Sequence, residues 1–473
     1  MVLDKRKFMN SIVMITIITM LLIIMDGNIE IMYRKTYIVL SGCTIACLIF
    51  YLKYYSEGTI DLFSPITLFT MIYVFMFYVT PIYDLLIREY TWFNVNLFDQ
   101  SIRCSFYALI GYVCFFIAYK YRFIINRGEM LCNKDYTKSE IICFEKGNSD
   151  KIVLFAVVGY FVCLLANIYY LVSSGGNSIL YILTLGMMGN SGNDTVSNVG
   201  VISMLSYSLP SFTLLYVEYG KNRFLKILAF ILMFELQVAR GFRFFILQIV
   251  FMFGSYYFIK ENKKPKFSQI IIVLIATCIP LILMTVFRVS IRSGEGMDLA
   301  ALSSDVLSDA LDAAFWENLR IYKNFYAIVK VVPSQTPYLY GAQTIIYTAI
   351  MMIPRAIWPS KPGNPGTIAQ EIALGKSAVL GGSAYPALGE YYYDIGLLGI
   401  VIWMSIFGLF LSKIEDRYRY KAITKEDLMV FCTILGNVLQ FIIRGYMPSN
   451  FWMLIFCILP YWIVGKCRIG GKL

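Results

Sequence analysis

The sequence predicts an all-α polytopic membrane protein with about 12 transmembrane helices and one long outer loop containing short amphipathic or re-entrant helices. Three observations carry that prediction. Of 473 residues, 58% are apolar and 15% charged, and the mean hydropathy is +0.66, a composition that a soluble globule cannot bury. Apolar runs recur near the roughly 20 residues that a helix needs to cross about 30 Å of hydrocarbon. Lys and Arg gather in alternate loops, as expected when basic loops stay in the cytoplasm.

In chain order the spans fall at 8–25, 36–52, 65–86, 103–119, 152–172, 201–219, 225–239, 243–259, 269–287, 395–411, 428–443 and 451–464. The first is an uncleaved span, because Lys5-Arg6-Lys7 precede it and Asp26-Gly27-Asn28, not a small-x-small cleavage site, follow it. Residues 1–473 read as a single integral membrane domain, with 288–394 a large outer (extracytoplasmic, periplasmic) loop between spans nine and ten. The even-numbered loops and both tails hold most of the basic residues, including stretches 120–151, 260–266 and 413–425, whereas the outer loop 173–200 has neither Lys nor Arg. Both termini are therefore expected in the cytoplasm. The net charge of +11 reflects this asymmetry and the anionic inner leaflet, so nucleic acid is not an expected partner.

None of the 11 cysteines lies in an expected outer loop and no Cys-x-x-Cys pair occurs, so no external disulfide is expected. Histidine is absent, which excludes imidazole acid/base chemistry and the common zinc sites. No cofactor and no metal are expected.

Within the long loop, 299–332 reads as one or two amphipathic helices, with Asp305, Asp309 and Asp312 on one face and Ser303 or Ser304 as cap. The apolar run 338–353 reads as a short re-entrant or surface helix, because one extra crossing would turn the basic stretch 413–425 outward. The Pro-rich stretch 354–365, then Gly381-Gly382 and Tyr385-Pro386-Ala387-Leu388-Gly389-Glu390, suit a rigid loop over a cavity. Arg355 and Lys361 offer fixed positive charge, while Trp358, Tyr385 and Tyr391 offer aromatic faces for sugar rings. Taken singly, each aromatic also fits an interfacial anchor.

Further arginines mark the outer ends of spans: Arg240 and Arg243 between spans seven and eight, Arg288 and Arg292 after span nine, and Arg444 after span eleven. Guanidinium groups hold phosphate bidentately and keep their charge, so such a grouping suits a diphosphate and its charge as a leaving group. Singly, each can snorkel to headgroups or pair with an acid such as Glu235 or Asp394. Glu235, inside span seven, should be paired, protonated or exposed to a cavity. Either Glu235 or Glu390 could serve as general base toward a hydroxyl, with Glu390 preferred for its outer position; a structural ion pair fits each as well.

Three patches carry a family resemblance: Gln237-Val238-Ala239-Arg240-Gly241; Ile353-Pro354-Arg355-Ala356-Ile357-Trp358-Pro359 with Lys361-Pro362, Gly389-Glu390-Tyr391 and Gly396; and Ile443-Arg444-Gly445. Together they resemble the Wzy-type oligosaccharide repeat-unit polymerases of O-antigen and capsular polysaccharide, GT-C-like membrane glycosyltransferases related to the O-antigen ligases. Family members are described with an outer-loop Arg and Gly separated by ten residues, a spacing matched by Arg355 and Gly366. The ligases are associated with an outer-loop His, which this chain lacks.

The resemblance implies a bacterial cytoplasmic (inner) membrane enzyme with its active site on the outer face. An undecaprenyl-diphosphate-linked oligosaccharide would be donor and a second one acceptor, joined by inverting, metal-independent glycosyl transfer, with membrane lipids around it and room for a chain-length regulator as partner. In that reading Arg240, Arg243, Arg288, Arg292 and Arg444 hold diphosphates, Arg355 and Lys361 position the donor, and Glu390 orients or deprotonates the acceptor. The alternative is a flippase or transporter of the same lipid-linked oligosaccharide, for which the chain shows no matching halves. A non-catalytic scaffold is a third reading.

Overall fold

The structure, a computed structural model, describes residues 31–54, 61–89, 91–125, 149–173, 204–239, 243–263, isolated positions between 265 and 316, and then 319–353, 357–376, 384–422 and 424–469. The expected first span, most of the ninth and the acidic stripe Asp305, Asp309 and Asp312 lie outside the described residues.

The long helices are α1 (Ile31–Tyr54), α2 (Pro65–Leu86, with a π-helical turn at Phe75–Val79), α3 (Ser101–Ile125), α4 (Ser149–Ser173) and the shorter α5 (Leu209–Tyr219). They continue with α6 (Arg223–Ala239) and α7 (Arg243–Lys260). Between these and the last spans come α8 (Tyr322–Val331), a π turn Ala342–Ile346 running into α9 (Tyr347–Ile350), α10 (Pro365–Leu374) and α11 (Ala387–Ile395). The chain ends with α12 (Leu397–Glu415), α13 (Lys425–Ile443) and α14 (Met447–Ile469). The one sheet among the described residues is a hairpin, β1 (Thr91–Trp92) paired with β2 (Val95–Asn96), turning through Phe93 and Asn94 at positive φ.

Seven described helices are long and apolar enough to cross a membrane, which makes this a multi-pass all-α membrane protein. The expected span 201–219 takes a different form. Its helical turn at 204–206 breaks at Tyr207 and Ser208 before Pro210, leaving an α5 of 11 residues, which at about 1.5 Å per residue covers about half of the hydrocarbon. The π turn and α9 are likewise too short to cross, as is the ten-residue α8.

Helices α2 and α13 form the centre, buried on nearly every side. Both are mostly apolar, with a few buried polar side chains such as Asp84 on α2 and Asn437 on α13. Helix α13 starts at a capping box in which Thr424 and Asp427 exchange side-chain and backbone bonds. Around this centre α12 packs along α3, α7 along α13, and α4 along α5. Two hydrogen bonds of buried hydroxyls tie α2 to α3: Tyr73 donates to the Ala108 carbonyl at 2.7 Å, and Thr70 and Tyr112 share a bond of 2.9 Å. Leu154, Phe161 and Leu165 on α4, with Phe224 and Ile227 on α6, point outward, as lipid-facing residues do.

Polar contacts concentrate at the two ends of the bundle. At one end Arg419 joins Glu415 and Asp61, and Lys260 and Lys425 converge on Glu218; the basic loops make this the end expected to face the cytoplasm. The opposite end gathers the hairpin, α8 to α11, the first turn of α7 and the turn after α13.

Candidate active site

The turn between α13 and α14 joins two of the three sequence patches, those holding Glu390 and Arg444. Helix α13 ends where the Arg444 N–H donates to the Gln440 carbonyl at 3.0 Å. The Gly445 N–H donates to the Tyr385 carbonyl at 2.5 Å, and the N–H groups of Tyr446 and Met447 donate to the Glu390 carboxyl at 2.7 and 2.9 Å. The half-buried Arg444 guanidinium lies 5.6 Å from the ring centre of Phe244, in the first turn of α7 and next in sequence to Arg243. Asn450 donates to the Arg444 carbonyl at 2.7 Å and accepts from Gln440 at 3.3 Å. Tyr446 has φ of +87°, a conformation that a non-glycine residue keeps only where its surroundings hold it. Glu390 supplies that hold.

Tyr385 sets the floor. Its hydroxyl donates to Asn364 at 2.7 Å and accepts from Gln343 at 2.5 Å, while Asn364 also caps α10. Gly366 leaves room for the ring, since a Cβ there would come within 2.3 Å of Tyr385 carbons. Gly445 is pressed against the other face, where a Cβ would sit 3.0 Å from the ring and from the Pro386 carbonyl. The Arg-and-Gly spacing thus has a packing reason at its glycine end.

Several expected site residues are buried. Glu390 is only 1% exposed and both its oxygens accept from backbone N–H groups, so it anchors the Arg444 turn. Burial pushes its carboxyl up to about 8, against the opposing pull of the Met447 and Tyr446 N–H bonds, and nearby Asp394 adds to the rise. Burial also raises the Asp394 carboxyl, which accepts from the Thr344 hydroxyl and the Gln343 N–H in the π turn. Tyr385 and Tyr391 are buried, the second stacked on Trp403 at 6.1 Å, so neither offers a face to a sugar. The physical reason is shared: α11 is enclosed by α8, α10, α12 and α13.

Trp358 keeps partial exposure, its indole N–H donating to Ser360 at 3.0 Å. Lys361 donates to the carbonyls of Met351 and Ile353 at 2.7 and 3.1 Å and so closes the loop in which Arg355 lies in sequence. Arg240, Arg288, Arg292 and Arg355, and the side chain of Arg243, lie outside the described residues. Glu235 is exposed on α6.

A family model for the O-antigen polysaccharide polymerase Wzy matches residues 11–469, nearly the whole chain. This chain belongs to that family. Comparison with curated proteins finds no match, and comparison with solved structures finds none. A Wzy-family chain is an O-antigen repeat-unit polymerase that acts on lipid-linked repeat units, and the convergence at Arg444 is to be read in that light.

Sequence reasoning missed a second polar group in this polymerase. Asp84, on α2, accepts from Arg320 at 3.0 Å and from the Tyr322 hydroxyl at 2.9 Å, and pairs with Lys323 at 3.1 Å. Glu89 completes the set through Arg320 at 2.8 Å. On α8, beside Tyr322 and Lys323, Asn324 accepts from the Trp92 indole at 2.7 Å and donates to the Ala384 carbonyl at 2.5 Å, just before Tyr385. The signal was Asp84 itself, a carboxylate inside an apolar span that needed a cation.

Proposed function

We propose that this polymerase joins lipid-diphosphate-linked oligosaccharide units on the outer face of the bacterial cytoplasmic membrane, by inverting glycosyl transfer without a metal, and that Arg444 grips the diphosphate. The observation that carries this reading is the Arg444 turn, where the guanidinium lies against Phe244 of α7 and the backbone that carries it is held by Glu390 of α11 and Asn450 of α14. Arg240, Arg243, Arg288 and Arg292 add positive charge toward the second diphosphate. Arg355 and Lys361 position the donor from their loop, and Trp358 supplies an aromatic face to a sugar.

In the reaction the acceptor's non-reducing-end hydroxyl attacks the anomeric carbon of the growing chain. The new glycosidic C–O bond forms as the bond to the diphosphate oxygen breaks, the hydroxyl proton passes to the released diphosphate or to water, and the arginines stabilise the charge that collects on the leaving oxygen. Inversion requires in-line placement of hydroxyl and leaving group, so positioning supplies most of the acceleration. Glu390 contributes by fixing the turn that carries Arg444.

Membranes or proteoliposomes displaying lipid-linked repeat units test this. Arg444→Ala and Arg355→Ala should collapse the polymer ladder toward a single repeat, a loss of tenfold or more for a charge-assisted contact of roughly 1.5–3 kcal/mol. Full ladders from both variants would refute the arginine assignment. A flippase would form no glycosidic bond in the same assay.

A further inference from the structure

The two helices that precede α11 are built inside out. In the π turn that leads into α9 the polar side chains point inward: Gln343 donates to the Tyr385 hydroxyl at 2.5 Å, and Thr344 donates to Asp394. Ile345 and Ile346, next to them in sequence, are 62% and 56% exposed. Helix α10 repeats the arrangement. Its Gln370 is fully buried and donates to the Gly366 carbonyl at 3.0 Å, whereas Ile368 and Ile372, one helical turn apart on the same face, are about half exposed. Between the two helices Ile357 is exposed as well.

Isoleucines outside and glutamines inside are costly in water, where burial favours the apolar groups and hydration the amides. The same arrangement suits hydrocarbon, in which polar groups find partners only within the protein. The charge distribution agrees. From Ala342 to Leu374 the charged residues are Arg355, Lys361 and Glu371, and the Lys361 ammonium is bound to the Met351 and Ile353 carbonyls. Depth agrees too. The Thr348 carbonyl accepts from the Trp452 indole at 2.8 Å, which sets α9 alongside the outer turns of the spanning segment Met447–Cys467. Helix α10 packs on α8, whose Phe325 meets Phe77 of α2 edge-on at 6.4 Å. At about 1.5 Å per residue, Phe77 lies roughly 13 Å below the outer end of α2.

We infer that α9 and α10 lie in the outer leaflet of the membrane, with Ile345, Ile346, Ile368 and Ile372 against lipid acyl chains. The partner is bilayer hydrocarbon, continuous with that met by Leu459 and Trp462, which α14 exposes in the same way. This part of the segment 288–394 thus stands in lipid and not in water. Nothing in this placement depends on the polymerase reading. Through Met351, 3.6 Å from the Tyr446 hydroxyl, the lipid-facing segment reaches the Arg444 turn, so that turn borders on hydrocarbon, where the lipid part of a lipid-linked unit belongs.

The test uses the full chain with one added cysteine at a time: Ile346→Cys, Ile368→Cys or Ile372→Cys, with Leu459→Cys as lipid-facing reference. Lys376→Cys, at an exposed charged position just after α10, is the water-facing reference. Each variant is labelled in detergent with a bimane maleimide and reconstituted at low protein density into phosphatidylcholine vesicles, and wild type treated alike gives the background of native thiols. Quenching is read with phosphatidylcholine brominated on its acyl chains and with aqueous iodide. Labels at the three isoleucine positions should be quenched by brominated lipid as fully as at Leu459→Cys and be spared by iodide, the reverse of Lys376→Cys. Iodide quenching equal to that at Lys376→Cys overturns the placement. Labels spared by both quenchers overturn it too, and identify a second copy of the chain or another protein as the cover. Unsubstituted protein in vesicles, exposed to a photoactivated diazirine dissolved in the bilayer, gives the same reading without a variant. Carbene insertion is expected in the peptides holding Ile345–Ile346 and Ile368–Ile372, and insertion into α14 with none in those peptides is the contrary result.

Discussion

Replacing Glu390 separates an anchor from a base. The carboxyl oxygen 2.7 Å from the Tyr446 nitrogen is also 2.9 Å from that of Met447, so a single oxygen can accept both N–H groups. Glu390→Gln retains such an oxygen in nearly the same volume and should keep the turn, its Arg444 and polymer formation within about threefold of wild type. Glu390→Ala removes both acceptors and leaves two buried N–H groups unpaired, at roughly 1–3 kcal/mol each, with the cavity of the lost side chain in addition. That variant should lose most of its thermal stability margin and its ladder. A general base would behave differently, because its loss typically lowers the rate about 10²–10⁴-fold even when the fold survives. The assay is ladder length and initial rate from lipid-linked units, beside melting of the purified protein. A Gln variant that melts like wild type yet polymerises a hundredfold more slowly would refute the anchor role.

Other outcomes follow from the same geometry. With a folded-state value of about 8 against an ordinary 4.5, Glu390 keeps a proton that the unfolded chain has released between those limits, so its contribution to stability falls as pH rises from about 4.5 to 8. Melting temperature against pH should show that downward slope in wild type and less of it in Glu390→Gln; identical profiles would contradict it. Gly366→Ala drives a methyl to within 2.3 Å of the Tyr385 ring and should destabilise by about 1–3 kcal/mol, read from thermal melting, with wild-type stability as the contrary result. Asp84→Ala strips Arg320 and Lys323 of a buried partner and should remove roughly 3–5 kcal/mol, which an unchanged melting temperature would disprove.

The sequence by itself determined the class of protein, the position of most long helices and the family, because hydrocarbon thickness and the basic-loop bias act on local composition. It also marked the segments that matter, since Arg444, Gly366 and the stretch 385–391 lie together in the fold. Which of their side chains are buried was decided only by tertiary structure. Glu390, Tyr385 and Tyr391 read as exposed, chemically available groups in a loop, yet enclosure by α8, α10, α12 and α13 turns them into anchors. The pairing of Asp84 with Arg320 and Tyr322 spans more than 230 residues, and no local pattern encodes it. Burial is the sum of contacts made by distant parts of the chain, so the environment of a charge, and with it the charge's role, is set only when those parts meet.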